Sequence, residues 1–172
     1  GTLTASDQRG AAMFSITLIC VGKLKEKFYL SASEEYAKRL RGYVDFSLIE
    51  LPETRLPDDP SPAQIAQGLA KEAELIRAKL PKGAWFCVLT PEGAQLSSEE
   101  LAAALASVKG SGKSSACFLI GSSFGMDPSL KAMADKKLSM SKMTFPHHLA
   151  RVMALEQLYR AESIQAGTKY HK

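Results

Sequence analysis

The chain is 172 residues long, enough for one domain, and its longest apolar runs, FSITLICV and WFCVL, have the length of strands and not of membrane spans. A formal net charge of +4 favours contact with phosphate and so permits a nucleic-acid partner without demanding one. Cys20, Cys87 and Cys117 each lie within a strand-like run and none has metal-ligand or redox spacing, so they read as buried free thiols of a cytoplasmic protein that uses no metal.

In chain order, residues 1–12 (GTLTASDQRGAA) are small and polar and lack the basic start and apolar core of a signal peptide. They read as an expression-tag remnant, which leaves residues 13–172 as a single domain. Residues 14–21 read as a buried strand, and residues 26–41, rich in Glu, Lys and Leu, as a helix. VDFSLIEL (44–51) is a second strand, ended by Pro52. ETRLPDDPSP (53–62) is a loop, because its prolines remove backbone donors and fix φ. A helix over 62–80 follows, capped by Ser61 with Pro62 in its first turn. AWFCVLT (84–90) is a third strand and PEGAQ a turn. Ser97 or Ser98 caps a helix that runs to Val108, with Glu100 placed for a capping box with Ser97. ACFLI (116–120) is a fourth strand, 127–135 a short helix, and KLSM (137–140) a short fifth strand. The last helix starts near Pro146 and runs to Gln165. Its Leu149, Val152, Met153, Leu155, Leu158 and Tyr159 do not fit one stripe, so it is buried on more than one side. Short apolar runs alternating with helices predict an α/β fold, a mostly parallel sheet with helices on both faces.

The stretch KGSGKSSACFLIGSSFGMD (109–127) holds two glycine-and-serine clusters. The first, with Gly112-Lys113-Ser114, lacks the opening glycine of a phosphate-binding loop, since Ser107 stands there. It also leaves a helix and enters a strand, the reverse of the order that loop needs. It reads as a connector. The second, Gly121-x-Ser123-x-Gly125, follows a strand and precedes a helix as a nucleophile elbow does, and Asp127, Asp135, His147 and His148 lie downstream. A serine hydrolase is therefore an alternative, although the later strands that should carry its acid and base are reduced to KLSM. A glycine-bordered loop at the C-terminal end of a parallel strand also lets a ligand approach the backbone, at the crevice where open α/β sheets bind ligands.

Two other strand-end loops, LTPEG (89–93) and SKMTFP (141–146), would meet that one at a single sheet edge if the strands are neighbours. Leu89, Met126, Met140, Met143 and Phe145, with open backbone between them, suit an adenine held by main-chain hydrogen bonds; the same methionines also read as ordinary core fillers.

From Leu138 onward, LSMSKMTFPHHLARVMALEQLYRAESIQAGTKYHK closely resembles the bacterial ribosomal RNA large-subunit methyltransferase H family, part of the SPOUT superfamily of knotted methyltransferases. ITLICVGKLKEKFY, VLTPEG, FLIG and the closing YHK occur in the family's order, so the resemblance covers Met13 to Lys172. It implies S-adenosylmethionine as methyl donor, bound by Leu89, Gly121, Met140, Ser141, Lys142, Met143, Thr144 and Phe145, and a C-terminal trefoil knot. The family loop usually reads GGPEG where this chain has GSSFG, so its carboxylate is missing.

The resemblance also implies methylation at N3 of a pseudouridine in the large-subunit ribosomal RNA, within the hairpin that contacts the small subunit. In-line transfer from a sulfonium needs no metal, so the protein chiefly aligns the reactants. An imide N3–H must lose its proton, which gives candidate roles to His171 as acceptor, Arg151 as stabiliser of the anion and Tyr170 as positioner of the base. The apolar last helix points to a homodimer, and His147 and Arg151, spaced i,i+4, could stand where two protomers build a shared site. A small basic surface reads assembled shape better than a long RNA sequence, so the assembled ribosome is the expected partner.

Overall fold

Alternating strands and helices run through residues 13–172, the part described by a computed structural model; the tag reading concerns residues 1–12 and lies outside the described residues. In order they are β1 (Ser15–Val21), α1 (Lys27–Leu40), β2 (Asp45–Leu51), α2 (Pro62–Lys79), β3 (Trp85–Gln95), α3 (Ser98–Gly110), β4 (Ser115–Ile120), α4 (Pro128–Met133), β5 (Lys136–Ser139) and α5 (His147–Ala166). The five strands form one sheet in the order β2-β1-β4-β3-β5, every pairing parallel. Helix starts follow their caps. Ser61 and Ser97 each close a capping box, with Gln64 and Glu100, and the Asp127 carboxylate accepts from Ser129 N–H to start α4.

Side chains alternate across the sheet as a period of two requires. Ile16, Leu18, Cys20, Phe118 and Ile120 pack on one face against α1, α3 and α5; Ile19, Val21, Val88, Cys117 and Leu119 pack on the other against α2 and α4. Helix α5 lies between α1 and α3. That place accounts for its all-round apolar sequence, because its own chain covers it on three sides. All three cysteines are buried free thiols, and burial pushes each thiol up to about 12.

Helix ends shift by one or two residues from the sequence reading, and β3 and β5 differ from it in ways that shape the site. PEGAQ is not a turn: β3 continues through Gln95, with a shift in its pairing to β5 between Leu89 and Ala94. Thr90–Gly93 bulge out, so Pro91 needs no ladder donor there. Gly93 permits this close return of the chain, since a Cβ at that position would stand 2.6 Å from Leu138 N. Strand β5 begins and ends one residue earlier than KLSM. Among the described residues, no helix is long and apolar enough to cross a membrane, and no group of three or more His, Cys, Asp or Glu could hold a metal ion.

Candidate functional site

Because β3 lies between β4 and β5, the loops that leave these three strands emerge side by side. They open a cleft of about 670 Å³. One wall is Leu89 with the bulged Thr90, Pro91 and Glu92; a second is the chain from Ile120 to Met126; the third runs from Ser139 to Pro146. His147 and Ala150 close it from the first turn of α5. Leu89, Gly121, Met140, Ser141, Lys142, Met143, Thr144 and Phe145 thus all line one cavity. The methionines divide. Met126 is buried in the core beneath the cleft, whereas Met143 is exposed at its rim.

The loop after β4 is closed on itself. Ser122 and Gly125 exchange backbone hydrogen bonds of 2.9 Å in each direction, and Gly125 holds a φ of 88°. A Cβ on Gly121 would lie 2.2 Å from the Gly125 carbonyl oxygen. Glycine at 121 is therefore required by the loop's own closure, before any ligand is considered. A carboxylate from elsewhere in the chain reaches this loop. Glu53, just beyond β2, accepts from Ser123 Oγ at 2.8 Å and from Ser123 N–H at 3.4 Å. Glu72 of α2 accepts from Thr54 N–H at 2.7 Å, and the Ser122 hydroxyl donates to the Gly125 carbonyl at 3.4 Å. The serine-hydrolase alternative fails here. The Ser123 hydroxyl is bound to a carboxylate, not to the imidazole that would have to take its proton.

The other two loops are held similarly. Ser139 Oγ donates to the Ser141 carbonyl at 3.0 Å, and Met143 N–H to Ser141 Oγ at 3.0 Å. On the rim, hydrogen bonds from Lys131 and Thr90 pull the Glu92 carboxyl down to about 2. Exposed main chain, apolar walls and few charges match what a nucleoside-like ligand needs, and the volume falls in the usual range for small-molecule sites.

The three candidates for chemistry lie apart from that cleft. Arg151 is 1% exposed, and its guanidinium donates to the Glu50 carboxylate and, at 2.8 Å, to the Gly22 carbonyl. Burial pushes Glu50 up, but hydrogen bonds from Arg151 and Leu24 N–H outweigh it and hold the carboxyl below its usual value. The Arg151 Nε is buried and has no hydrogen-bond partner among the described residues. Within one chain Arg151 anchors the segment after β1 through the Gly22 carbonyl. Tyr170 folds back onto α5, where its hydroxyl donates to Glu156 at 2.9 Å, its ring packs 4.5 Å from Tyr159, and burial, with that bond, pushes the phenol up to about 12. His171 lies between Arg160, 3.1 Å from Nδ1, and Glu99, 2.6 Å from Nε2. Within one chain, neither tail residue lines the cleft.

Sequence reasoning missed Glu53, Glu72 and the place of His147. His147 lines the cleft and also a neighbouring groove formed with Gly22, Lys23, Lys25, Glu53 and His148. Burial, and then the adjacent His148, lower its imidazole below the ordinary value. A signal existed for Glu53: it directly follows a parallel strand, and all such ends share one sheet edge.

A parallel sheet with helices on both faces, opening a cleft at its strand ends, defines an α/β protein with a ligand site where such sheets bind nucleotides. The chain belongs to the SPOUT methyltransferase family, whose methyl donor is S-adenosylmethionine: the family model described as "Predicted SPOUT methyltransferase" matches residues 14–171. Ribosomal RNA large subunit methyltransferase H of Moorella thermoacetica is 43% identical over 93% of this chain and 100% of its own length. The protein of that name from Bifidobacterium adolescentis is 45% identical over 91% of this chain and 99% of its own. A solved "Probable Methyltransferase" from Bordetella pertussis, 14% identical, superposes with a TM-score of 0.50 over 85% of this chain and 95% of that one, a likeness of fold alone.

Proposed function

We propose that this chain transfers a methyl group from S-adenosylmethionine to N3 of a pseudouridine in large-subunit ribosomal RNA, in the cytoplasm and on the assembled ribosome. The observation that carries the reading is the meeting of Leu89, Gly121 and residues 140–145 around one cleft of about 670 Å³. The names of the relatives support the RNA substrate, and the pseudouridine and its N3 come from the family resemblance. A trefoil knot around these loops belongs to the same reading.

Leu89, Ile120 and Met140 would flank the adenine, and the main chain of the three loops would supply its hydrogen bonds. Bound there, S-adenosylmethionine supplies an electrophilic methyl group. The chain's own work is alignment, exclusion of water and removal of the imide proton. Tyr170 and His171 remain the groups proposed to position the base and accept that proton. Both pack on the outer side of α5. A homodimer formed through that side would carry them to a partner's cleft.

Calorimetry tests the cofactor. S-adenosylmethionine should bind with about micromolar affinity and ATP should not. Ala150→Trp should fill the cleft from α5 without touching the three loops, lowering affinity at least about tenfold while the melting temperature stays within a few degrees. A folded Ala150→Trp variant with unchanged affinity would move the cofactor elsewhere. Methyl transfer to ribosomes, followed by mass spectrometry of the nucleosides, tests the substrate. Equal incorporation into ribosomes lacking pseudouridine would refute the assignment.

A further inference from the structure

Beside the cofactor cleft, the segment between β1 and α1 forms a second groove of about 450 Å³ with the start of α5. His147 and His148 line it, and two further rings, Tyr29 and Phe28, continue the row from His148 out to open solvent. Phe28, 67% exposed, lies 4.3 Å from Tyr29; Tyr29 meets His148 edge-on at 6.2 Å; His148 lies 4.2 Å from His147, which walls the cleft itself. An aromatic side chain as exposed as Phe28 contributes little to the core and offers a free face. Lys23, Lys25 and Lys27 are exposed around these rings and form no ion pair among the described residues. The acids of the groove already have partners in the chain: Glu26 faces His148 Nδ1 at 3.6 Å, and Glu53 holds Ser123.

The segment is also fixed in place. Arg151 donates to the Gly22 carbonyl, Leu24 N–H donates to Glu50 at 3.2 Å, and the Leu24 side chain is buried. Unpaired lysines flanking a row of rings are the surface that single-stranded nucleic acid binds, with phosphates on the cations and bases on the ring faces. We propose that this ladder, from Phe28 through Tyr29 and His148 to His147, is the track on which a single-stranded stretch of RNA lies, leading the target nucleotide to the cleft. The proposal rests on the methyltransferase reading above and adds to it the surface that holds the substrate.

The experiment uses the full chain with three changes: Phe28→Ala, Phe28→Trp and the double charge reversal Lys23→Glu/Lys25→Glu. A labelled single-stranded oligoribonucleotide, followed by fluorescence anisotropy at low salt, should bind the wild type. Phe28→Ala should weaken it by about tenfold, as expected for one lost base–ring stack, and Phe28→Trp should restore it. The charge reversal should flatten the dependence of affinity on salt, since fewer phosphates are neutralised. On ribosomes, Phe28→Ala should raise KM by a similar factor with kcat within about twofold, and S-adenosylmethionine affinity should not move. Unchanged oligoribonucleotide affinity and KM in both Phe28→Ala and the charge reversal would overturn the track. So would a loss on ribosomes alone with oligoribonucleotide binding intact, which would assign the ladder to a protein partner. A wild type that binds the oligoribonucleotide through Phe28 yet transfers no methyl would defeat the function and leave the track standing.

Discussion

Glu72 lies under the loop after β4 with one carboxylate oxygen, Oε1, buried and without a partner. Burial raises its carboxyl above the ordinary 4.5, and the hydrogen bond from Thr54 N–H lowers it only in part. The folded chain then holds this proton more tightly than the unfolded chain does. The stability it contributes is fully present below the ordinary carboxylate range and is lost as pH rises through the folded value. At neutral pH the ionised group is a burden. Glu72→Gln keeps an acceptor for Thr54 N–H and removes the charge. The variant should melt about 2–4 °C higher than the wild type at pH 8, roughly 1 kcal/mol, with the difference closing near pH 4. Scanning calorimetry at the two pH values reads this, and equal melting at pH 8 would show that the carboxylate is well solvated. Single residues were unevenly legible. Gly121 and residues 140–145 could be brought together from sequence because they directly follow strands, and Leu89 because the Thr90–Gly93 bulge after it carries turn residues. The partnerships of Arg151 with Glu50 and of Ser123 with Glu53 could not, since each spans the chain and depends on the order of strands in the sheet.

At the scale of elements, β5 depends on a single small residue. It has four residues and pairs with β3 on both sides of the bulge, so Leu138 faces Leu89 and Ala94 in turn. Gly93 lies against its backbone. Gly93→Ala should push β5 away, lowering the melting temperature by several degrees and weakening S-adenosylmethionine by about tenfold, because residues 140–145 hang from that strand. Thermal melts and calorimetry on one preparation measure both. Wild-type affinity in the variant would mean that the loop after β5 holds its shape without the strand. The alternation of strands and helices was readable because buried parallel strands are short apolar runs. The continuation of β3 was not, because Pro91 and Gly93 are turn signals whose meaning here is set by a neighbour 45 residues further along, Leu138 facing Gly93.

At the scale of the whole molecule, the order β2-β1-β4-β3-β5 gathers the ends of β3, β4 and β5 at one edge, an arrangement no periodicity in the sequence encodes. The homodimer was inferred from the apolar surface of α5, and most of that surface is covered by α1 and α3 of the same chain. What stays half-buried is Leu149, Val152 and Met153, with a cleft of about 300 Å³ walled by Leu101, Leu138, Met153 and Leu158. A second copy laid on this face would cover apolar side chains that one chain leaves open, and the tail with Tyr170 and His171 packs on the same helix. Light scattering at micromolar concentration should therefore give twice the mass of the chain. Met153→Glu, placing a charge in the face, should shift the protein toward monomer and lower methyl transfer. Removal of Tyr170–Lys172 should leave the mass doubled and S-adenosylmethionine bound, yet depress methyl transfer by at least about a hundredfold, as loss of an acid–base group does. A wild-type monomer that methylates ribosomes would refute the dimer, and full activity of the truncated chain would take the tail out of the chemistry.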